Sequence, residues 1–179
     1  MPLLGRPLIL HILERLSPIA DEIILSTNNP SDYSFLDIPI HPDLQPNHGA
    51  LGGLYTAINA AKYPFVAAVA CDMPFASRSL FEYELDFIIK TEADVVIPST
   101  PKGLEPLHAI YHRETCLPVI LSALQAKSFK LTGWLSEVHF KLIPPEVTLQ
   151  FDPDGLAFWN LNTPAEFRLA EERVNLENN

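Results

Sequence analysis

Apolar residues at Ile9, Ile12, Leu13 and Leu16 recur at i, i+3, i+4 and i+7, a spacing that predicts a helix from about Pro7. Pro7 suits a first-turn position, where its missing N–H would have no partner anyway. Ser17-Pro18 ends this helix. Glu22 to Ser26 (EIILS) reads as a buried strand, stopped by Thr27-Asn28-Asn29-Pro30. Ile38 to Ile40 is a short strand, and a polar loop from His41 to Gly49 follows it. Gly52-Gly53 is expected to open a second helix with Leu54, Ala57, Ile58 and Ala61 on its apolar stripe. Phe65 to Ala70 is apolar on both faces, as a strand in the middle of a parallel sheet covered on both sides must be.

The alternation continues. Ser79-x-x-Glu82 has the form of a capping box for a helix carrying Phe81, Leu85 and Ile88. Asp94 to Pro98 and Leu107 to Tyr111 read as strands. A helix is expected over Thr115 to Ala126 with Pro118 near its first turn, then a short helix near Leu131 to Leu135 and a strand from Val138 to Ile143. Thr163-Pro164-Ala165-Glu166 combines a capping box with proline at the first helical position. It opens a last helix whose stripe includes Phe167, Ala170 and Val174. Strands alternating with helices predict a three-layer α/β fold with a mostly parallel sheet. In such sheets ligands sit beyond the carboxyl ends of the strands, so residues just after strands are the ones to weigh.

Composition narrows the function classes. The 179 residues read as one domain, residues 1–179, with no repeat, linker or low-complexity stretch. The balance of 12 Lys+Arg against 22 Asp+Glu gives a net charge of −10, which argues against non-specific nucleic-acid binding and against anionic lipid. No apolar run approaches the about 20 residues a membrane helix needs, and no signal segment opens the chain. Cys71 and Cys116 lack metal spacing, so a reduced cytoplasmic setting is expected. Seven glycines against 17 prolines is a low count for a phosphate-binding protein, which usually carries a glycine-rich loop.

Asp72 follows the Phe65–Ala70 strand and precedes Met73-Pro74, a position that faces a ligand crevice or caps a turn. Mg²⁺ takes one or two such carboxylates together with phosphate oxygens and water. Gly49-Ala50-Leu51-Gly52-Gly53 runs into a helix, where backbone N–H groups can hold an anion or simply form a turn. Asn28 and Asp43 each follow a strand, and could touch a base or ribose or serve as turn residues. Asn160 and Asn162 fall on the same side if their segment is extended, or belong to the loop before the last helix. The six histidines show no catalytic spacing. His108 and His112, four apart, lie on a strand rather than a helix and make no metal pair. Cys71 reads as packing, since nothing nearby activates it.

Six stretches, in order, carry a resemblance to a known family. They are LLGRPLILHIL (Leu3–Leu13), EIILSTNN (Glu22–Asn29), HGALGGLYTAI (His48–Ile58), the segment ending in CDMPF (about Ala67 to Phe75), EPLHAIYHR (Glu105–Arg113) and FWNLNTPAEF (Phe158–Phe167). Together they resemble the molybdenum cofactor guanylyltransferases, the MobA-like nucleotidyltransferases, over nearly the whole chain. The resemblance implies a Rossmann-like nucleotide-transferase fold. It also implies transfer of GMP from GTP to the phosphate of molybdopterin, or of the molybdenum cofactor, with release of pyrophosphate. Asp72 would then hold Mg²⁺, and Asn28 and Asp43 would contact guanosine. Gly49 and Gly53 would let the nucleotide approach the backbone, Asn160 and Asn162 would line the acceptor or metal side, and Lys130 would attract the pterin phosphate. Implied partners are the two substrates and other cofactor-biosynthesis proteins or molybdoenzyme chaperones.

Three departures stand out. The family's opening strand and GGxSxRMGxDK-type loop, which bind the triphosphate, would lie before Met1. Their absence would leave a gap in the sheet, and this chain alone is expected to transfer little or no nucleotide. Ala50 stands where the family often has proline, and Phe129-Lys130 where it often carries arginine. The alternatives are a cytidylyltransferase of the same fold and a non-catalytic nucleotide-binding relative.

Overall fold

Pro7 adopts an extended conformation and caps helix α1 (Leu8–Leu16) from outside rather than entering its first turn. The computed structural model describes residues 2–177. Before α1, strands β1 (Pro2–Leu3) and β2 (Arg6–Pro7) form a small antiparallel hairpin. Its turn residues Leu4 and Gly5 are both left-handed, at φ 49° and 75°, as a two-residue hairpin turn requires. A left-handed leucine costs roughly 1–2 kcal/mol. Here the turn is held by a hydrogen bond from the Leu4 N–H to Glu171 Oε1.

The expected strand at Glu22–Ser26 shrinks to β3 (Leu25–Ser26), which pairs in parallel with β4 (Ile40–His41). Helix α2 (Gly49–Ala60) begins three residues before the Gly52-Gly53 pair, with Gly49 itself left-handed at φ 58°. The principal sheet contains β5 (Phe65–Val69), β6 (Val95–Thr100), β8 (His108–His112) and β9 (Phe140–Ile143). The hydrogen-bonded order is β5-β8-β6, with β9 on the far side of β6. β5, β6 and β9 share a direction, while β8 runs against both its neighbours. A short β7 (Gly103–Leu104) folds back on the end of β6 as a hairpin that the sequence pattern does not reveal.

Both faces of this sheet are covered, and the period-2 alternation sorts its residues cleanly. Val95, Ile97, Ala109 and Tyr111 point toward α2 and α4 (Arg113–Gln125), where Leu51, Ile58, Ile120 and Leu124 meet them. Val96 and Ile110 point the other way, toward Leu80, Phe81 and Ile88 of α3 (Arg78–Thr91) and Val147 of α5 (Pro145–Phe151). Three layers result. The last helix, α6 (Pro164–Glu177), closes a smaller core of Leu3, Phe75, Leu161, Phe167 and Ala170.

Several local expectations are corrected. The cap of α3 is Ser77, whose hydroxyl accepts from the Leu80 N–H; Ser79 lies inside the helix. Helix α4 starts two residues early, so Pro118 lies inside it. The turn before β9 is a 3₁₀ segment at Leu135–Glu137 rather than a helix over Leu131–Leu135. Helix α5 opens on Pro144-Pro145 and buries only Thr148 of its own residues, too little to leave a stripe in the sequence.

Among the described residues the β3–β4 pair has no hydrogen bond to the principal sheet, and β5 pairs only with antiparallel β8, so it is not the mid-sheet parallel strand that its apolar run predicts. Helix α2 packs on both β3 and β5 and so holds the two sheets together. The fit of α2 is tight at one glycine. A Cβ at Gly52 would meet the Gln45 carbonyl oxygen at 2.7 Å and His48 Cβ at 3.2 Å, whereas one at Gly53 would meet nothing closer than 3.9 Å. Gly52→Ala is therefore expected to lower stability by a net ~1–2 kcal/mol despite its better helix propensity, and Gly53→Ala to leave it level or raised. Thermal melts of the two variants check this, and equal melting temperatures would contradict the packing of the Gln45–His48 turn on α2.

Candidate active site

Asp72 lies just past the carboxyl end of β5. Ala70 N–H donates to Leu107 O at 3.1 Å, and Met73 N–H folds back on Ala70 O at 3.1 Å. The chain therefore turns sharply at Cys71-Asp72, and the carboxylate lies where the strand stops. Asn160 comes to meet it from 88 residues away: its side-chain Nδ2 donates to Asp72 Oδ1 at 3.1 Å. The next residue reinforces the join, with Leu161 N–H donating to Asp72 O at 2.9 Å. Asp72 Oδ2 has no protein hydrogen bond among the described residues.

A second polar cluster gathers at the ends of β3 and β4. Asp43 accepts from Ser26 Oγ at 2.8 Å through Oδ1 and from Asn28 Nδ2 at 2.9 Å through Oδ2. Gly53 lies beside it, with no side chain between the helix and the Asp43 carboxylate. The following Leu44 N–H donates to buried Thr56 Oγ1, so Asp43 is held against α2 from both sides.

A groove of about 420 Å³ lies beside Asp72, and its other walls include Leu8, Ile9, Tyr33, Phe35 and Cys71. Tyr33 ends the 3₁₀ turn Pro30–Tyr33 directly after Asn28-Asn29, and it shares the groove wall with Cys71. Desolvation pushes the Cys71 thiol up, and the neighbouring Asp72 charge adds to that; Tyr33 is pushed up by burial as well. Neither is activated as a nucleophile. Glu105, at the start of the segment that reaches Leu107, accepts from Thr100 Oγ1 at 3.1 Å and is pushed up by partial burial. Its place at the same end of the sheet was not read from the sequence, although it opens the EPLHAIYHR stretch.

The other expected residues make no hydrogen bond to Asp72 among the described residues. Asn162 gives its backbone N–H to Glu166 Oε2 at 2.9 Å, as part of the capping box of α6. Glu166 is held below the usual carboxylate range by those hydrogen bonds. Lys130 is exposed in a turn closed by Gly133 N–H to Lys130 O; its neighbour Phe129 reaches His48 ring-edge to ring-face at 4.7 Å, just before Gly49. His112 pairs with Thr115 and His108 lies wholly buried, so the two form no metal site.

Among the described residues, no group of three or more His, Cys, Asp or Glu could enclose a metal ion. A single carboxylate with one unengaged oxygen, Asp72, is a donor set that suits a hard cation bound mainly through a substrate's phosphates. Asn160 steadies that carboxylate. No helix among the described residues is long and apolar enough to cross a membrane.

A covered sheet with its polar groups at the carboxyl ends of β3, β4 and β5 has the architecture of an α/β nucleotide-binding domain. The profile of the MobA-like NTP transferase domain matches residues 1–138, and the chain belongs to that family. A molybdenum cofactor guanylyltransferase of Desulfosudis oleivorans is 28% identical over 170 residues, spanning 95% of this chain and 83% of that one. A probable molybdenum cofactor guanylyltransferase of Carboxydothermus hydrogenoformans is 31% identical over 175 residues, 93% of this chain and 83% of that protein. Among solved structures, molybdopterin-guanine dinucleotide biosynthesis protein A from Archaeoglobus fulgidus superposes with a TM-score of 0.84 at 25% identity, covering 98% of this chain and 89% of that one. A Thermus thermophilus 2-C-methyl-D-erythritol 4-phosphate cytidylyltransferase shares the fold at a TM-score of 0.68 and 14% identity, covering 96% and 90%.

Proposed function

We propose that the protein transfers GMP from GTP to the phosphate of molybdopterin, or of the molybdenum cofactor, and releases pyrophosphate. The observation that carries this reading is the join of Asp72 to Asn160 beside a groove at the carboxyl end of β5, with the Ser26–Asn28–Asp43 cluster at the carboxyl ends of β3 and β4. In the reaction an oxygen of the pterin phosphate attacks the α-phosphorus of GTP, a new P–O bond forms, and the bond to the bridging oxygen of pyrophosphate breaks. No protein nucleophile is needed, so alignment and charge neutralisation dominate. Asp72 would hold Mg²⁺ with the triphosphate, and the ion would supply neutralisation of charge on the α-phosphate and on the leaving group.

Asp43 and Asn28 support the choice of base. An ionised carboxylate only accepts hydrogen bonds, and Asp43 retains lone pairs beyond those used by Ser26 and Asn28. Guanine offers adjacent N1–H and N2–H₂ donors to such a group, and the ribose offers hydroxyls, whereas cytosine offers one donor beside an acceptor. Gly49 and Gly53 keep the approach to α2 open. Asn162 and Lys130 would act on the acceptor side, Lys130 as a point charge for its phosphate. The setting would be the cytoplasm, with other cofactor-biosynthesis proteins or molybdoenzyme chaperones receiving the product.

The test is pterin-dependent pyrophosphate release by the full-length protein with GTP and with CTP. Release with GTP at least about ten-fold faster is expected, since each lost polar contact is worth at least that much. Equal rates would defeat the guanine assignment. Release with neither nucleotide would favour a binding protein over a transferase.

A further inference from the structure

His108 and Glu84 are the only ionisable pair shown with both side chains fully enclosed, among the described residues. Their atoms define a direction. The Ser77 backbone N–H donates to His108 Nε2 at 3.1 Å, and a backbone N–H can only donate, so Nε2 is the bare nitrogen. The ring hydrogen therefore sits on Nδ1 and is given to Glu84 Oε1 at 3.2 Å. The imidazole lies flat on Phe81, with ring centres 3.9 Å apart and planes 4° off parallel, and Phe158 packs against its edge at 5.2 Å. The ring has one orientation and one tautomer.

That orientation bears on Asp72. The segment 71–76 is tied at its start by Ala70 N–H to Leu107 O and at its end by Ser77 N–H to His108 Nε2. Both ties come from two consecutive residues of one strand and the loop that enters it. Ser77 also anchors α3 and donates its hydroxyl to Phe151 O at 3.1 Å. The first N–H groups of a helix and its cap have no partner within the helix, so His108 supplies one that the α3 entry would otherwise lack.

We infer that His108, with its tautomer set by Glu84, is a positioning residue for Asp72: it clamps the downstream end of the Asp72 loop through the Ser77 amide. The inference rests on the reading of Asp72 as the Mg²⁺ and triphosphate ligand. Its mode of action is comparable to the outer groups that orient metal ligands, whose loss costs about 10- to 100-fold in metal affinity.

Two polar replacements separate clamping from packing. Glutamine can place its amide oxygen where Nε2 lies, and asparagine reaches only to the Nδ1 position. In the full-length protein, His108→Asn is expected to raise the Mg²⁺ concentration for half-maximal transfer by about ten-fold, with KM for saturating Mg·GTP changed far less, and His108→Gln to restore most of that loss. In the unaltered protein, the Ser77 amide is expected to exchange with solvent as slowly as core strand amides, which needs no variant to fold. Equal Mg²⁺ midpoints for His108→Asn and the parent, equal defects in Asn and Gln, or a fast-exchanging Ser77 amide would overturn the inference. Asp72→Ala, run beside them, tells the two failures apart. An unchanged Mg²⁺ midpoint there removes the Asp72 reading and the inference with it, whereas a changed midpoint beside an unaffected His108→Asn removes the inference alone.

Discussion

Asp72→Ala is expected to lower nucleotidyl transfer by the full-length protein on the order of 10³-fold while leaving the melting temperature close to the parent's. The activity loss follows from removing several kcal/mol of charge stabilisation at the reacting phosphates. The stability expectation follows from what Asp72 does structurally. Its side chain accepts one hydrogen bond, from Asn160, and its backbone carbonyl, which alanine keeps, accepts the one from Leu161. Asp72→Asn keeps the shape and discards the charge, and should fall nearly as far. A variant that retains full metal-dependent rate would remove Asp72 from the site, and one that loses activity only because it unfolds would make it a structural residue.

The second large effect is on stability against pH. Burial pushes His108 down from its usual 6.5 to about 3, so it is neutral in the folded protein. Below pH 6.5 the unfolded chain takes up a proton that the folded chain refuses. Stability present above 6.5 is therefore lost as the pH falls toward 3, by on the order of 3 to 5 kcal/mol over the whole span. Burial pushes Glu84 the other way, well above 4.5, and its buried Oε2 lacks a hydrogen-bond partner, so the neutral acid is the folded form. The stability that Glu84 contributes is present below 4.5 and is lost as the pH rises through its raised value. The contact is thus one between two neutral groups, and where the two windows overlap they oppose each other. Urea midpoints across pH should fall on both flanks. His108→Gln should remove most of the acid flank, leaving the part below 4.5 that hydrogen-bonded carboxylates such as Glu166 contribute, and Glu84→Gln should remove the alkaline one. An acid flank that persists unchanged in His108→Gln would contradict the buried neutral imidazole.

The layered fold was legible because its signals are local. The Ile9–Leu16 stripe and the unbroken apolar run at Phe65 each predict an element that the structure contains. What was not legible depends on partners distant in sequence. The antiparallel direction of β8 is set by its neighbours, because HAIYH reads alike in either direction. The Ser79-x-x-Glu82 spacing pointed to Ser79 as the α3 cap, but the backbone places Ser77 in the extended conformation a cap needs. His108 looked like an ordinary strand residue because its partners, Glu84 and Ser77, lie 24 and 31 residues away.

The candidate site divides in the same way. Asp72 could be singled out from its place after a strand, but nothing in the spacing joins it to Asn160; only the resemblance set CDMPF beside FWNLNTPAEF. Asn28 and Asp43 read separately as turn residues, and the structure makes them one hydrogen-bonded unit with Ser26. Lys130 came from the resemblance alone, and Asn162 from the resemblance together with its place on the same side as Asn160 in an extended segment. In the fold their visible tasks are a helix cap and an exposed turn.

The identity of the product tests the central claim most directly. The full-length protein is incubated with molybdopterin, Mg²⁺ and an equal mixture of GTP and CTP, and the pterin product is weighed by mass spectrometry. A molybdopterin dinucleotide carrying GMP, formed with one pyrophosphate per turnover and absent with Asp72→Ala, is the expected result. A product carrying CMP, or unmodified pterin with both nucleotides intact, would contradict it.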